Sequence, residues 1–217
     1  MTIVPDDKNW TWVLEQTCPE CGFAGATTSA AAVAGLIREQ AEIWPALLGV
    51  GTGADLVVAA AAGLGPASRP RPDKWSALEY GCHVRDVFRL YDYRLHLMLD
   101  NDDPLFPNWD QDATAVEQRY HEADAQTVAA ELVAAAHQLA DSFDTVTGEV
   151  WQRPGRRGDG VAFTIDSFAR YLIHDPIHHV HDVRVDHDVR VDHDVRVDHD
   201  VRVDHDVRID HDVRVDL

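Results

Sequence analysis

At 217 residues the chain has room for one domain with an appendage or for two small ones, and its formal charge of −19, with no clustered Lys/Arg, argues against binding nucleic acid or an anionic membrane surface. Its longest apolar run, LVVAAAAGLG from Leu56, falls short of the roughly 20 residues that span a bilayer. MTIVPDDKNW has no basic stretch leading into an apolar core, so no signal peptide is expected and a cytoplasmic protein is the default, which an odd count of three cysteines fits.

The N-terminal segment, 1–24, holds Cys18-Pro-Glu-Cys21-Gly, which has the spacing of half a zinc ribbon. A closed structural site needs four ligands, usually from two such halves, and no second half follows. A local turn is therefore expected there, and no thioredoxin-like strand and helix surround it. The first helix follows Thr27 and Thr28, with Val33, Leu36, Ile37, Trp44 and Leu47 on one stripe, and runs to about Leu48. The Gly- and Pro-rich stretch from Gly49 to Pro72 is a connection in which Ala54 to Ala62 could form a short helix. Ser76-Ala-Leu-Glu79 reads as a capping box opening a second helix, whose stripe of Leu78, Cys82, Val84, Val87, Phe88, Tyr91, Leu95 and Met98 extends to about Leu99.

NDDPLFPNWDQD reads as a loop, and a third helix spans about Ala125 to Phe143 on Val128, Leu132, Ala136, Leu139 and Phe143. TGEVWQRPGRRGDG is turn-rich with room for a short extended piece. A fourth helix opens near Thr164 or Asp166 and carries Phe168, Leu172 and Ile173 on one side; Pro176 inside it predicts a kink or an early end near Asp175. Four amphipathic segments without a convincing strand pair give an all-α fold, a four-helix bundle with long crossover loops over residues 25–182.

The remainder, 183–217, is repetition. From His181 the unit HDVRVD occurs six times, once as HDVRID, before Leu217. The repeats carry 12 Asp against 6 Arg, a charge of −6, which leaves −13 of the −19 to residues 1 to 180. A period of six turns about 600° per unit on a helix and spreads the valines over three faces. It suits an extended chain, but no Gly, Asn or Pro is present to reverse direction. Disorder is the first reading of this tail and metal binding by its histidines the second.

His174 and His178 are four apart, so on a continuous helix their rings lie one turn above the other and can converge on one ion at about 2 Å. His83, one turn after Glu79 within an apolar stripe, would be costly to bury unpaired and is the candidate third ligand. Three imidazoles leave at least one open position, the arrangement of a catalytic rather than a structural zinc site. Taken singly, a core histidine or an i, i+4 His pair is more often only structural.

WSALEYGCHVRDV from Trp75 and FARYLIHDPIHHVHDV from Phe168 resemble the DinB-like superfamily, which includes mycothiol-dependent maleylpyruvate isomerases and bacillithiol transferases; DDKNWTWVLEQTCPECGF resembles one bacterial branch of it. The resemblance covers roughly residues 6–182. It implies a four-helix bundle with a divalent metal on His83, His174 and His178. In the isomerases the first member of the last-helix pair is usually Glu, where this chain has His174, and a second domain helps to bind substrate, where this chain has only repeats.

The resemblance further implies a low-molecular-weight thiol such as mycothiol as co-substrate, its pKa lowered at the metal. The expected function is thus a metal-dependent thiol S-transferase or thiol-assisted isomerase, with a small-molecule thiol and an electrophile as partners. Glu79 and Asp175 are candidates to orient an imidazole N–H, without an assigned catalytic role. Zinc is the default metal, and nickel and iron suit the same donors. A non-catalytic metal-binding stress protein is the alternative, and metal storage or sensing by the tail a third. The oligomeric state stays open, with a homodimer among the alternatives.

Overall fold

The computed structural model describes residues 9–50 and 65–197, with side chains as far as residue 185. The short helix expected over Ala54 to Ala62 and the last repeats, 198–217, lie outside the described residues. Among the described residues the chain begins with a 3-10 turn, Trp10–Leu14, in which Thr11 N–H donates to the Asn9 side-chain oxygen. A second such turn, Ala30–Ala32, leads into α1 (Val33–Leu47). Helix α2 (Ala77–Asp100) begins with both halves of the capping box: Glu79 N–H donates to Ser76 Oγ at 3.2 Å, and Ser76 N–H donates to Glu79 Oε2 at 2.8 Å. A short α3 (Gln111–Glu117) is capped by Asp110, and α4 (Ala125–Asp144) by Asp124.

Helix α5 spans Ile165–Val197. At its start Thr164 and Ser167 bond reciprocally, each backbone N–H donating to the other's hydroxyl. Helix α1 packs against α4 and α5, and α2 packs against the same two. Among the described residues, α1 and α2 are therefore diagonal in the bundle, and so are α4 and α5. The expected all-α four-helix bundle with long crossovers is what is observed. Its centre is filled by Ile37, Trp44, Phe88, Leu95, Leu132, Leu139, Phe143 and Phe168, all fully buried, so the apolar stripes face one another as burial of apolar area demands.

Three local features depart from the expectation. NDDPLFPNWDQD contains β1 (Leu105–Phe106) as well as the start of α3. With β2 (Pro154–Arg157) and β3 (Ala162–Thr164) it forms a small sheet of order β1-β2-β3, β1 parallel to β2 and β3 antiparallel to it. Third, α5 does not end near Asp175 but continues as helix through Pro176. Leu172, Ile173, Val180 and Val183 are buried on the bundle, so packing on both sides of the proline outweighs its missing backbone donor.

Gly155 of β2 sits where a Cβ would meet Phe106 Cζ at 2.7 Å and Met98 Cγ at 2.8 Å. Gly155→Ala is expected to destabilise the protein by about 1–3 kcal/mol through overpacking, read as a lowered urea midpoint; an unchanged midpoint would contradict the packing described.

Glu79 supplies a pH-dependent contribution. Burial alone would raise its pKa, but hydrogen bonds from Arg69 and Ser76 hold it below the ordinary 4.5. The unfolded chain then takes up this proton first, so the contribution is whole above about pH 4.5 and is lost as pH falls through the lower folded value. Between about pH 6 and about pH 3 the wild type should lose stability more steeply than Glu79→Gln; parallel curves would show that Glu79 contributes nothing to acid sensitivity.

Candidate metal centre

The capping box starts α2 so that His83 faces the interior, 1% exposed, with its ring 5.4 Å from Trp75 and stacked at 5.4 Å on Trp109. Opposite it, α5 presents Asp175 and His179. His83 Nε2 lies 3.4 Å from Asp175 Oδ2, and His179 Nε2 lies 3.6 Å from the same oxygen. One donor atom from each of the three residues falls within 4.8 Å of the others. Ligands about 2.0–2.1 Å from a tetrahedral ion are about 3.4 Å apart, close to both imidazole-to-carboxylate distances here. Asp175 Oδ1 and His83 Nδ1 are buried without hydrogen-bond partners, a state that native interiors avoid unless another group completes it. Burial would raise the Asp175 pKa, yet His179 and His83 together hold it well below the carboxylate range, so the donor set keeps an anionic oxygen.

A second cluster lies beside the first. Cys18, Cys21, His174 and His178 also bring their donor atoms within 4.8 Å of one another. Cys18, His174 and His178 are buried, and Cys18 Sγ is 3.7 Å from His178 Nδ1. Burial and the adjacent His178 pull the His174 pKa down to about 4, so this imidazole is neutral and its nitrogen lone pair is available. Burial pushes the Cys21 thiol up to about 11. Cys82 belongs to neither cluster: it faces the Tyr120 carbonyl from within the core, its thiol pushed up to about 12 by burial.

The three sequence-predicted ligands are thus divided. His83 is gathered with Asp175 and His179, whereas His174 and His178 keep company with the two cysteines. Neighbouring helix positions point about 100° apart, so the 174/178 and 175/179 pairs face different partners. Sequence reasoning treated Asp175 only as an orienting group and passed over His179. The available signal was that Asp175 and His179 have the same i, i+4 spacing with a carboxylate first, the order usual in the resembling isomerases. Glu79 does not approach His83 through its carboxylate, which is held by Arg69 and Ser76.

Both pairs on α5 border a cleft of about 390 Å³, whose walls include Trp10, Trp109, Arg94, Arg157 and Tyr171. Arg94 is buried, which lowers its pKa; it donates to the Pro107 carbonyl at 3.0 Å, and its Nε has no partner. Arg157 chelates Asp159 and donates to the Tyr171 hydroxyl at 2.9 Å. Burial keeps the Tyr171 phenol protonated, its pKa raised despite the guanidinium beside it. The cleft is therefore bordered by both α5 pairs and, elsewhere on its lining, by Arg94 and Arg157 together with Asp110, Asp112 and Asp159. No helix among the described residues is long and apolar enough to cross a membrane.

A search of curated proteins gave no match. Among solved structures, the chain is similar in fold to YfiT from Bacillus subtilis, described as "a probable metal-dependent hydrolase with an unusual four-helix bundle topology". The likeness covers 70% of this chain and 82% of that one at 18% identity, with a TM-score of 0.57. The profile of the DinB superfamily matches residues 58–183, a span that contains α2, the first part of α5 and every residue of the first cluster. The chain belongs to the DinB superfamily.

Proposed function

We propose that the protein is a divalent-metal-dependent enzyme in which His83, Asp175 and His179 hold the ion, and in which a low-molecular-weight thiol attacks an electrophile in the adjoining cleft. The observation that carries this reading is the convergence of two imidazoles and one anionic carboxylate from two helices at the wall of a cleft, a set of three that leaves room for a reactant. Bound there, a divalent ion supplies Lewis acidity that makes a nucleophile available at neutral pH. Zinc suits this donor set best. In thiol chemistry the S–H proton passes to solvent and the sulfur bonds to an electrophilic carbon. A leaving group then departs with its electron pair, or, after rotation about a former double bond, the S–C bond breaks again and the thiol is returned.

The chain's own residues supply the rest of the site. Arg94, which lines the cleft without a carboxylate partner among its hydrogen bonds, is the guanidinium suited to a carboxylate on the thiol or on the electrophile. Tyr171 keeps its proton and can donate it to a substrate oxygen. Trp10 and Trp109 contribute apolar surface to the walls of the cleft. Mycothiol and bacillithiol are the thiols to try first, and no general base is assigned. A hydrolytic reading, in which water replaces the thiol, is favoured by the description of YfiT.

Cobalt substitution tests the proposal. Adding thiol should change the visible spectrum of the cobalt protein, and His83→Ala should abolish that change. An unchanged spectrum at saturating thiol would overturn the thiol reading, and ester or amide hydrolysis by the same sample would establish the hydrolytic one. Arg94→Met should raise KM for a carboxylate-bearing substrate about tenfold or more, the effect expected for loss of a hydrogen bond to a charged group. An unaltered KM would remove Arg94 from substrate recognition.

A further inference from the structure

We infer that Cys18, Cys21, His174 and His178 form a second metal site, closed and of Cys2His2 type, that takes zinc and clasps the N-terminal segment onto α5. It is independent of the ion proposed at His83, Asp175 and His179. All four donors lie within 4.8 Å of one another, from two stretches of chain more than a hundred residues apart. The 3.7 Å between Cys18 Sγ and His178 Nδ1 matches the roughly 3.6 Å expected when Zn–S is about 2.3 Å and Zn–N about 2.0–2.1 Å at tetrahedral angles. His174, 4% exposed, leaves its Nε2 buried without a partner. An uncompensated imidazole nitrogen in that position costs stability, and a metal bond removes the cost.

The local chain is built for this. Between the cysteines the backbone folds back: Gly22 N–H donates to the Cys18 carbonyl at 2.9 Å, Cys18 N–H donates to the Phe23 carbonyl at 2.8 Å, and Gly22 takes a φ of +76°, which glycine adopts without strain. The turn presents both sulfurs to α5. On the far side of His178, its Nε2 lies 3.3 Å from Glu20 and 3.7 Å from Asp182, so carboxylates orient the ring while Nδ1 faces Cys18. Carboxylates on the non-ligating nitrogen are the usual outer support of a zinc histidine.

On binding, each cysteine gives its proton to solvent. Two thiolates and two neutral imidazoles then cancel the charge of the ion, which makes a buried site affordable in a bundle interior. Four protein ligands leave no open position, so the site is structural. Its ligands bear on the cleft through Trp10, whose ring is 5.2 Å from His174 and 5.1 Å from His178. The clasp therefore sets one wall of the cleft.

X-ray absorption at the zinc edge of the full-length, zinc-loaded chain tests this, since the tail contains no sulfur and Cys82 is turned into the core. The wild type should show sulfur at about 2.3 Å together with nitrogen at about 2.0–2.1 Å. His83→Ala should retain one zinc with two sulfur and two nitrogen neighbours, and the double variant Cys18→Ser/Cys21→Ser should lose one zinc equivalent and all sulfur scattering. Should the double variant fail to fold, the wild-type spectrum decides alone. A shell of nitrogen and oxygen only, or a Cys18–Cys21 disulfide in the zinc-loaded chain, overturns the proposal.

Discussion

Adjacent positions on an α-helix point about 100° apart while positions four apart nearly align, and the arrangement of this protein depends on that angle in α5. His174 and His178 form one aligned pair; Asp175 and His179 form another, one residue along. The first pair meets the N-terminal turn and the second meets His83 of α2. One helix therefore presents two donor sets in two directions, provided that it stays helical through Pro176. That proline removes a backbone donor and crowds the preceding turn. The helix holds because Leu172, Ile173, Val180 and Val183 anchor it to the bundle on either side.

The two sets differ in charge as well as direction. Asp175 stays anionic among imidazoles and has one oxygen without a partner, which suits a cation and a reactant together. The set of two sulfurs and two nitrogens is complete with the ion alone. Buried groups without partners in both places, at His83 Nδ1, Asp175 Oδ1 and His174 Nε2, are costly in the polypeptide alone. Such a concentration is what a site that works with a bound ion would leave.

Much of the bundle was legible in the sequence because its signals are local. The Ser76/Glu79 capping box and the stripes of α1, α2 and α4 depend on spacings of three and four, and these helices occur where the stripes lie. The small sheet was not legible: Leu105 pairs with Arg156 across about fifty residues, and Pro154–Arg157 has neither alternation nor β-branched residues to mark a strand. The seven residues of α3 bury nothing and carry only the Asp110 cap. The continuation of α5 past Asp175 is not legible locally, because Pro176 signals a helix end while the packing that overrides it is tertiary. At the site, spacing pointed to α5 and to histidines on it, but two registers of that helix satisfy the same i, i+4 rule. Only the position of α2 and the N-terminal turn around α5 separates them, and that is tertiary information.

Crystals of the full-length zinc-loaded protein, measured on either side of the zinc absorption edge, would test the two-register account most directly. The account requires two anomalous peaks per chain in the bundle, one among His83, Asp175 and His179 and one among Cys18, Cys21, His174 and His178. A single peak shared by His83, His174 and His178 would contradict it and show that one register, with the side chains rearranged, serves a single ion.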